Sequence, residues 1–247
     1  MLGDPQVPIV AVQSRRLYRE AADQLRRLIQ SGEYQPGARL PAERDLASQL
    51  RISRPTLREA LIALEVEGLV NIRVGSGIYV TSPALTTPKV RHIDGIEGPF
   101  ELLRAREFIE GAIAAEAALK ATTADIERLD HVLQRMLSFP EGRDAMIAVD
   151  REFHTTIAAM LGNAVLERFV GELFDQRINP YFERLSTYFE DDSTWKSAAT
   201  EHRAIRNALA AADPFGAKAA MEQHLRASQV RFSRSFEEVF SREETRT

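Results

Sequence analysis

Four residues in the C-terminal half of the chain have the types and the spacing of a metal site: Asp150, His154, His202 and His224. Asp150 precedes His154 by four residues, so the carboxylate and the imidazole project from one face of a helix. His202 and His224 each lie on the apolar stripe of another helical pattern. Three imidazoles and one carboxylate can bind a divalent transition metal and leave coordination positions open. The alternative is that each histidine is a hydrogen-bonded core side chain.

A charged residue, Arg106, falls within the apolar stripe of the helical pattern that begins at residue 99. A buried guanidinium needs a partner. One alternative is an ion pair with Glu110, four residues later. The other is a fork-like contact with the carboxylate of a bound effector, whose other atoms reach the metal. Arg177 and Asn179 could add hydrogen bonds to effector hydroxyls, although the ordinary polarity of a helical bundle explains both residues about as well.

The helical patterns that must position these residues fill the chain from residue 99 to residue 240. In each pattern, apolar residues recur at the spacing of one helix face, and short turns separate the patterns. The predicted helices are 99–121, 123–137, 141–161, 164–189, 193–212 and 213–240. Six helices joined by short turns predict an antiparallel bundle.

The stretch 39–80 has the pattern of a winged helix-turn-helix. Ser53 is placed to cap the second of two short helices. Arg54 and Arg58 lie one turn apart near the N-terminus of that helix, where they can reach guanine edges or phosphates. The alternative is that both arginines are solvated and paired with acidic residues on neighbouring turns, namely Glu59, Glu43 or Asp45.

Two short β-prone runs, 70–72 and 78–80, flank a glycine turn at 74–77 and predict the wing. The sequence therefore predicts a winged helix-turn-helix domain at 14–81 and a linker at 82–98, rich in Pro, Thr and Gly. An all-helical domain follows at 99–240. The predicted fold class is mainly α.

Composition excludes several classes of protein. The 247 residues include no cysteine, so neither a disulfide framework nor a thiolate metal site can form. No apolar run approaches the ~20 residues of a membrane span, and the N-terminus lacks the basic start of a signal peptide, which indicates a cytoplasmic protein. Residues 1–81 carry 11 Arg against 9 Asp and Glu, an excess too small to show DNA binding by itself.

The N-terminal motifs RLPAERDLA, SRPTLREAL, LEVEGLV and GSGIYV strongly resemble the DNA-binding domain of the GntR family of bacterial transcription regulators. The resemblance implies a set of DNA-binding residues, with the two glycines shaping the wing tip: Arg44, Ser53, Arg54, Thr56, Arg58, Gly75 and Gly77. Two positions depart from the family pattern. Pro55 stands where relatives carry Thr or Ser, and Val74 stands where they often carry a basic or polar residue.

The C-terminal motifs DREFH, EHRAI and HL resemble the FCD effector domain of one branch of GntR regulators. This resemblance implies that Asp150, His154, His202 and His224 hold a metal, with zinc as the first choice and nickel or manganese as alternatives. It also favours Arg106 as the ligand of an effector carboxylate. Within that branch, the segments GPFELLRAREFIEG and DPFGAKAAMEQHL are similar to hexuronate-utilisation repressors.

We therefore expect a homodimeric repressor of sugar-acid catabolic genes, which a hexuronate or related acid releases from double-stranded operator DNA. The rival hypothesis is a metal-dependent enzyme of sugar-acid metabolism with an accessory DNA-binding domain. The sequence contains no HExxH motif, phosphate-binding glycine loop or nucleophile elbow, so we expect no enzyme. A third hypothesis, an architectural DNA-binding protein with a purely structural bundle, leaves Arg106 and the clustered histidines unexplained.

Overall fold

The computed structural model describes residues 17–73, 76–81, 98–138, 142–189 and 192–241. The chain forms two compact units, Met1–Ile93 and Asp94–Thr247. Of the predicted linker at 82–98, only Gly98 belongs to the described residues. Residues 14–16 of the predicted first domain also lie outside them.

The N-terminal unit is built around its third helix. Its described elements are α1 (Leu17–Gln30), α2 (Glu43–Leu50), α3 (Arg54–Val66), β1 (Val70–Arg73) and β2 (Gly77–Val80). Helix α3 packs against α1, α2 and β1, and it buries Leu57, Leu61 and Leu64 completely or nearly so. The two strands pair antiparallel, with Val70 opposite Val80. The winged helix-turn-helix predicted from the sequence is confirmed.

The turn between α2 and α3 positions the N-terminus of α3. Arg51 ends α2 in the left-handed region, with φ 55°. Ser53 is the N-cap of α3, where its Oγ accepts the backbone N–H of Thr56 at 3.2 Å. Pro55 falls in the first helical turn, where its missing N–H is not needed. The cap leaves Arg54 as the first residue of the helix.

The C-terminal unit is a helical bundle. Its described helices are α4 (Pro99–Lys120), α5 (Thr123–Leu137), α6 (Arg143–Ala159), α7 (Ala164–Asp175), α8 (Pro180–Phe189), α9 (Asp192–Ala210) and α10 (Pro214–Ser241). Helices α4 and α10 run antiparallel, because Arg226 bonds to Glu107 whereas Glu222 packs against Gly111, one turn further along α4. The mainly α fold class is confirmed. None of the described helices is long and apolar enough to cross a membrane.

One predicted helix is wrong. The predicted helix 164–189 is two helices, because α7 ends at Asp175 and α8 begins at Pro180. The Asn179 side chain accepts the backbone N–H of Phe182 at 2.9 Å, as an N-cap does. Pro180 follows at the start of α8, where it has no N–H to lose. The break matters for the site, since Arg177 lies in it.

Candidate metal centre and recognition helix

Three helices bring the four predicted metal ligands together. Asp150 and His154 lie on α6, His202 on α9 and His224 on α10. Their exposed fractions are only 0–5%. One ligand atom of each residue lies within 4.8 Å of those of the other three. Burial removes the water that would otherwise satisfy these electron-pair donors.

Three of the distances between the ligand atoms are those that a shared ion would give. His202 Nε2 lies 3.2 Å from His224 Nε2 and 3.4 Å from Asp150 Oδ1, and His154 Nε2 lies 3.6 Å from Asp150 Oδ1. Two ligands that are ~2.1 Å from a tetrahedral zinc ion lie about 3.4 Å apart. Asp150 Oδ1 and His154 Nε2 are also buried with no hydrogen-bond partner among the described residues. The four side chains could therefore hold a divalent metal ion.

Carboxylates fix the outer nitrogen of two of the histidines. His154 Nδ1 contacts Glu110 Oε2, and His224 Nδ1 lies 2.8 Å from Glu201 Oε2. A carboxylate at Nδ1 keeps the proton on that nitrogen and leaves Nε2 as the electron-pair donor. This is the arrangement that metal-binding histidines usually have.

The other two ligands are held differently. His202 Nδ1 lies 3.2 Å from Met136 Sδ, and the ring of Phe153 stacks on the His202 ring at 4.2 Å. Arg177 Nη1 donates to Asp150 Oδ2 at 2.9 Å, which leaves Oδ1 directed toward the histidines. The sulfur is a weak acceptor, so packing rather than hydrogen bonding orients His202.

The protonation of the cluster follows from burial and from the carboxylates. Burial lowers the pKa of His202 well below 6.5, and it lowers the pKa of His224 although Glu201 opposes the shift. Burial is the largest influence on His154 and disfavours its proton, but the charge of Glu110 and the contacts of the ring with Asp150 and Glu110 together raise the pKa of His154. Burial would raise the pKa of Glu110, yet the charges of Arg106 and His154 lower it to about 2. Without a metal, His154 is the histidine that keeps a proton best.

A pocket borders the cluster. Asp150 and His224 line it together with three arginines, Arg106, Arg177 and Arg231. The rest of the lining is mostly apolar and includes two hydroxyls: Leu103, Thr194, Trp195, Ala198, Leu225, Ser228 and Phe232. Such a combination of several cations and an apolar wall suits an anion with a partly apolar body.

Arg106 is an ion-pair partner and also a lining residue. Its Nε donates to Glu110 Oε1 at 2.6 Å, so the ion pair predicted as one alternative is present. The guanidinium is 1% exposed and lies over the Phe174 ring at 4.7 Å. Its Nη2 is buried with no hydrogen-bond partner among the described residues. The contact with an effector stays a prediction.

Of the two other predicted effector ligands, one lines the pocket and one does not. Arg177 lines the pocket, where it also bonds to Asp150. Asn179 does not line it, because its side chain is used by the N-cap of α8 and by a bond to the Gln176 carbonyl. Helix capping, rather than ligand binding, therefore explains Asn179.

One carboxylate joins the two arginines at the start of the recognition helix α3. Glu43 Oε1 forms an ion pair with Arg58, whose Nε lies 2.7 Å away, and it accepts a hydrogen bond from Arg54 Nε at 3.1 Å. Glu43 is one of the three acidic partners that the alternative interpretation of the sequence named for Arg54 and Arg58. The Arg54 side chain is 41% exposed, whereas those of Arg58 and Glu43 are 3% exposed. Arg44 on α2 is 79% exposed. Arg44 and Arg54 therefore present their charges outward, and Arg58 is buried.

The wing places two further arginines beside Gly77. Gly77 has φ +112°, and a Cβ built on it would lie 2.6 Å from Arg39 Nε. Arg73, opposite Gly77 in the hairpin, lies with its guanidinium 4.7 Å from the centre of the Tyr79 ring. Gly75 and Val74 lie outside the described residues.

The sequence did not indicate the carboxylates that orient the histidines. Glu110 was predicted only as a partner of Arg106, and it binds His154 as well. Glu201 contacts His224 rather than its neighbour His202, since adjacent residues point to different sides of a helix. A carboxylate one turn from a charged core residue was the only sequence signal for Glu110.

Comparisons with known proteins agree with this architecture. Residues 17–80 match the model of the bacterial regulatory proteins of the gntR family, and residues 101–227 match the FCD domain. The chain is 38% identical over 225 residues to the Exu regulon transcriptional regulator of Escherichia coli. The alignment covers 87% of this chain and 84% of that regulator. It is 37% identical over 223 residues to the Uxu operon transcriptional regulator of the same organism, covering 87% and 86%. It is 30% identical over 219 residues to the HTH-type transcriptional regulator LutR of Bacillus subtilis, covering 85% and 99%.

The chain thus belongs to the GntR family of bacterial transcription regulators and carries an FCD domain. It is a DNA-binding transcription regulator and not an enzyme. The rival hypothesis of a metal-dependent enzyme has no support.

Proposed function

We propose that this regulator is a homodimeric cytoplasmic repressor of sugar-acid catabolic genes, and that a hexuronate-type acid releases it from its operator. The observation that carries the proposal is the pocket wall in which two candidate metal ligands, Asp150 and His224, lie beside Arg106. Relatives named for the Exu and Uxu regulons, and the resemblance to hexuronate-utilisation repressors, support a sugar acid as the effector.

In this proposal, the C-terminal domain holds one divalent ion through Asp150, His154, His202 and His224. Zinc is our first choice because imidazole and carboxylate are among its usual ligands, and nickel and manganese are the alternatives. When bound, the ion supplies a Lewis acid that attracts a carboxylate oxygen.

The chain's own residues provide the rest of the proposed effector site. Arg106 would donate parallel hydrogen bonds to the effector carboxylate while Glu110 keeps its guanidinium in place. Arg177 would act chiefly by fixing the orientation of Asp150. The apolar wall that includes Trp195 would exclude water from these charged contacts and so strengthen them.

On the DNA side, Arg44 and Arg54 are the proposed direct contacts because their side chains are exposed. Arg58 would support them from beneath through Glu43. The remaining positions would bring polar groups or bare backbone close to phosphates, as such contacts commonly do: Ser53, Thr56, Gly75 and Gly77. The proposed domains are residues 14–81 and 99–240, joined by a linker at 82–98.

The effector can release DNA only through its different affinities for two states of the protein. A hundredfold loss of operator affinity requires ~2.7 kcal/mol of coupling between the two sites. A dimer whose bundle changes shape could provide this coupling by altering the spacing of its two DNA-binding domains.

The test is operator release by the zinc-loaded protein, followed by fluorescence anisotropy of an operator that the protein itself selects from random DNA. Arg106→Lys keeps a positive charge beside Glu110 but loses the planar fork. We expect the variant to need about tenfold to a hundredfold more galacturonate for release, because one charge-assisted hydrogen bond is lost. Operator affinity without the acid should stay unchanged.

The matched control is Arg128→Lys, because Arg128 is 61% exposed on α5 and pairs with Asp125 away from the pocket lining. This variant should respond like the wild type. If Arg106→Lys also responds like the wild type, then the effector carboxylate binds elsewhere. If no sugar acid releases the wild-type protein, the proposed effector class is wrong.

A further inference from the structure

We propose that Arg231 is a second anchor for the effector, and that Glu201 connects this anchor to the candidate metal ligand His224. The inference rests on the proposed function and narrows its effector. The effector should be an acid that carries a second group of oxygen acceptors away from the carboxylate that Arg106 binds.

Arg231 is a lining residue of the pocket, and its guanidinium is held in a fixed orientation. Its Nη1 and Nη2 donate to the two carboxylate oxygens of Glu201 at 2.5 and 3.1 Å, and Nη2 also donates to Ser228 Oγ at 2.9 Å. Its side chain is 21% exposed. A guanidinium that is already ordered loses little entropy when a ligand binds to it, so it is a favourable anchor.

Two separately held arginines therefore line one pocket. Arg106 belongs to α4 and is fixed by Glu110, whereas Arg231 belongs to α10 and is fixed by Glu201. An acid whose carboxylate occupies Arg106 can use Arg231 only if it carries further oxygens away from that carboxylate. The distal hydroxyls of a hexuronate, or the second carboxylate of an aldaric acid, meet this requirement, whereas the one hydroxyl of a short 2-hydroxy acid adjoins its carboxylate.

Glu201 links the second anchor to the metal cluster. Its Oε2 accepts from Arg231 Nη2 at 3.1 Å and is also 2.8 Å from His224 Nδ1. An effector oxygen that also accepts from Arg231 competes with Glu201 for the guanidinium, which leaves more of the Oε2 charge to His224. A stronger hydrogen bond at Nδ1 makes Nε2 a better electron-pair donor, so the metal binds more tightly. Effector and metal then strengthen each other's binding equally, as linkage requires.

The chain contains a single tryptophan, Trp195, and it lines the same pocket, so its fluorescence reports on binding. The first test titrates the zinc-loaded protein with galacturonate and with glycolate, a short 2-hydroxy acid. We expect Arg231→Gln to weaken galacturonate binding about tenfold to a hundredfold, the usual effect of losing a charge-assisted hydrogen bond. Glycolate binding should change less than about twofold, since a short acid does not use this anchor.

The matched control is Arg226→Gln on the same helix. Arg226 is 55% exposed, forms its own ion pair with Glu107 and does not line the pocket. This variant should bind both acids as the wild type does. An equal change for both acids in Arg231→Gln, or no change for either, would overturn the second anchor. If the wild type binds neither acid, the proposed function fails instead.

The second test concerns the link through Glu201. We expect galacturonate to increase the zinc affinity of the wild type, measured by competition with a chelator, and this increase should shrink in Arg231→Gln and in Glu201→Gln. The double variant should lose no more than either single variant, because the two residues act in series. Additive losses would show that Glu201 is not the connection.

Discussion

The metal cluster and the arginine cluster of the recognition helix both contain buried ionisable side chains, but they differ in where the opposite charge comes from. In the first, Asp150 and three histidines direct electron-pair donors at one point. In the second, Arg54 and Arg58 bind the same oxygen of Glu43, so cations and an anion already meet within the chain. In the proposed function the first group binds an ion from outside, whereas the second already contains both signs of charge.

In the proposed function, this difference makes the metal cluster responsive to a ligand and keeps the arginine cluster rigid. A cluster of electron-pair donors changes its properties when a metal ion or a ligand of that ion binds. A cluster that contains its counter-charge instead holds an exposed arginine in a fixed position, as Glu43 holds Arg54. The experiments below test this contrast.

The largest effect should come from removing one histidine of the metal cluster. We expect His202→Ala to weaken zinc binding by about 2.5–4 kcal/mol, because structural zinc sites are worth ~10–16 kcal/mol and four ligands share that energy. Elemental analysis after dialysis, together with chelator competition, measures the loss. The matched control is His131→Ala, since His131 is exposed on α5. Equal zinc contents in the two variants would mean that the histidines are ordinary core side chains.

Removing the charge of Glu43 from the arginine cluster should affect stability and DNA binding rather than metal binding. We expect Glu43→Gln to destabilise the N-terminal unit by about 2 kcal/mol, because Arg58 is 3% exposed and would lose its counter-charge. Operator DNA should bind more weakly relative to scrambled DNA, since Arg54 would no longer be held. Zinc affinity should be unaffected. Glu33→Gln, at an exposed position, is the control for the lost charge. A variant that discriminates operator from scrambled DNA as the wild type does would show that Glu43 does not position Arg54.

The smallest effect is the pH dependence of metal binding. Burial disfavours a proton on His154, but Glu110 and Asp150 together raise its pKa above 6.5, so below that raised pKa zinc must displace a proton from His154. Zinc affinity should therefore fall as the pH drops through that pKa, by about 1.36 kcal/mol per unit for one proton. Calorimetry at pH 7 in buffers of different ionisation heat counts the released proton. In Glu110→Gln the release should decrease, and an unchanged release would assign the proton to another group.

The sequence predicts most of the architecture because its strongest signals are local. Apolar periodicity indicates the long helices, and Ser53 marks the start of α3 by its position before an apolar stripe. The same periodicity continues across Asn179 and Pro180, and this is why one helix was predicted where α7 and α8 form. A cap formed by a single side chain is too weak a signal to outweigh that pattern.

The candidate site could be predicted only in part. Asp150 and His154 are one turn apart, so their common face follows from helix geometry. The contact of His224 with Glu201 joins two helices across 23 residues of sequence, and the rotation of each helix in the bundle decides it. Ion pairs of this kind depend on packing, which spacing along the chain does not encode.

The absence of a side chain at Gly77 links two positions that are far apart in the sequence. The Arg39 guanidinium occupies the space where a Cβ of residue 77 would lie, and the backbone there has φ +112°. A larger residue at position 77 would therefore both strain the wing and displace the arginine. Among homologous chains, positions 39 and 77 should consequently co-vary, with a long basic residue at the first accompanied by glycine at the second. Natural selection would then act on positions 39 and 77 together, even though 37 residues separate them.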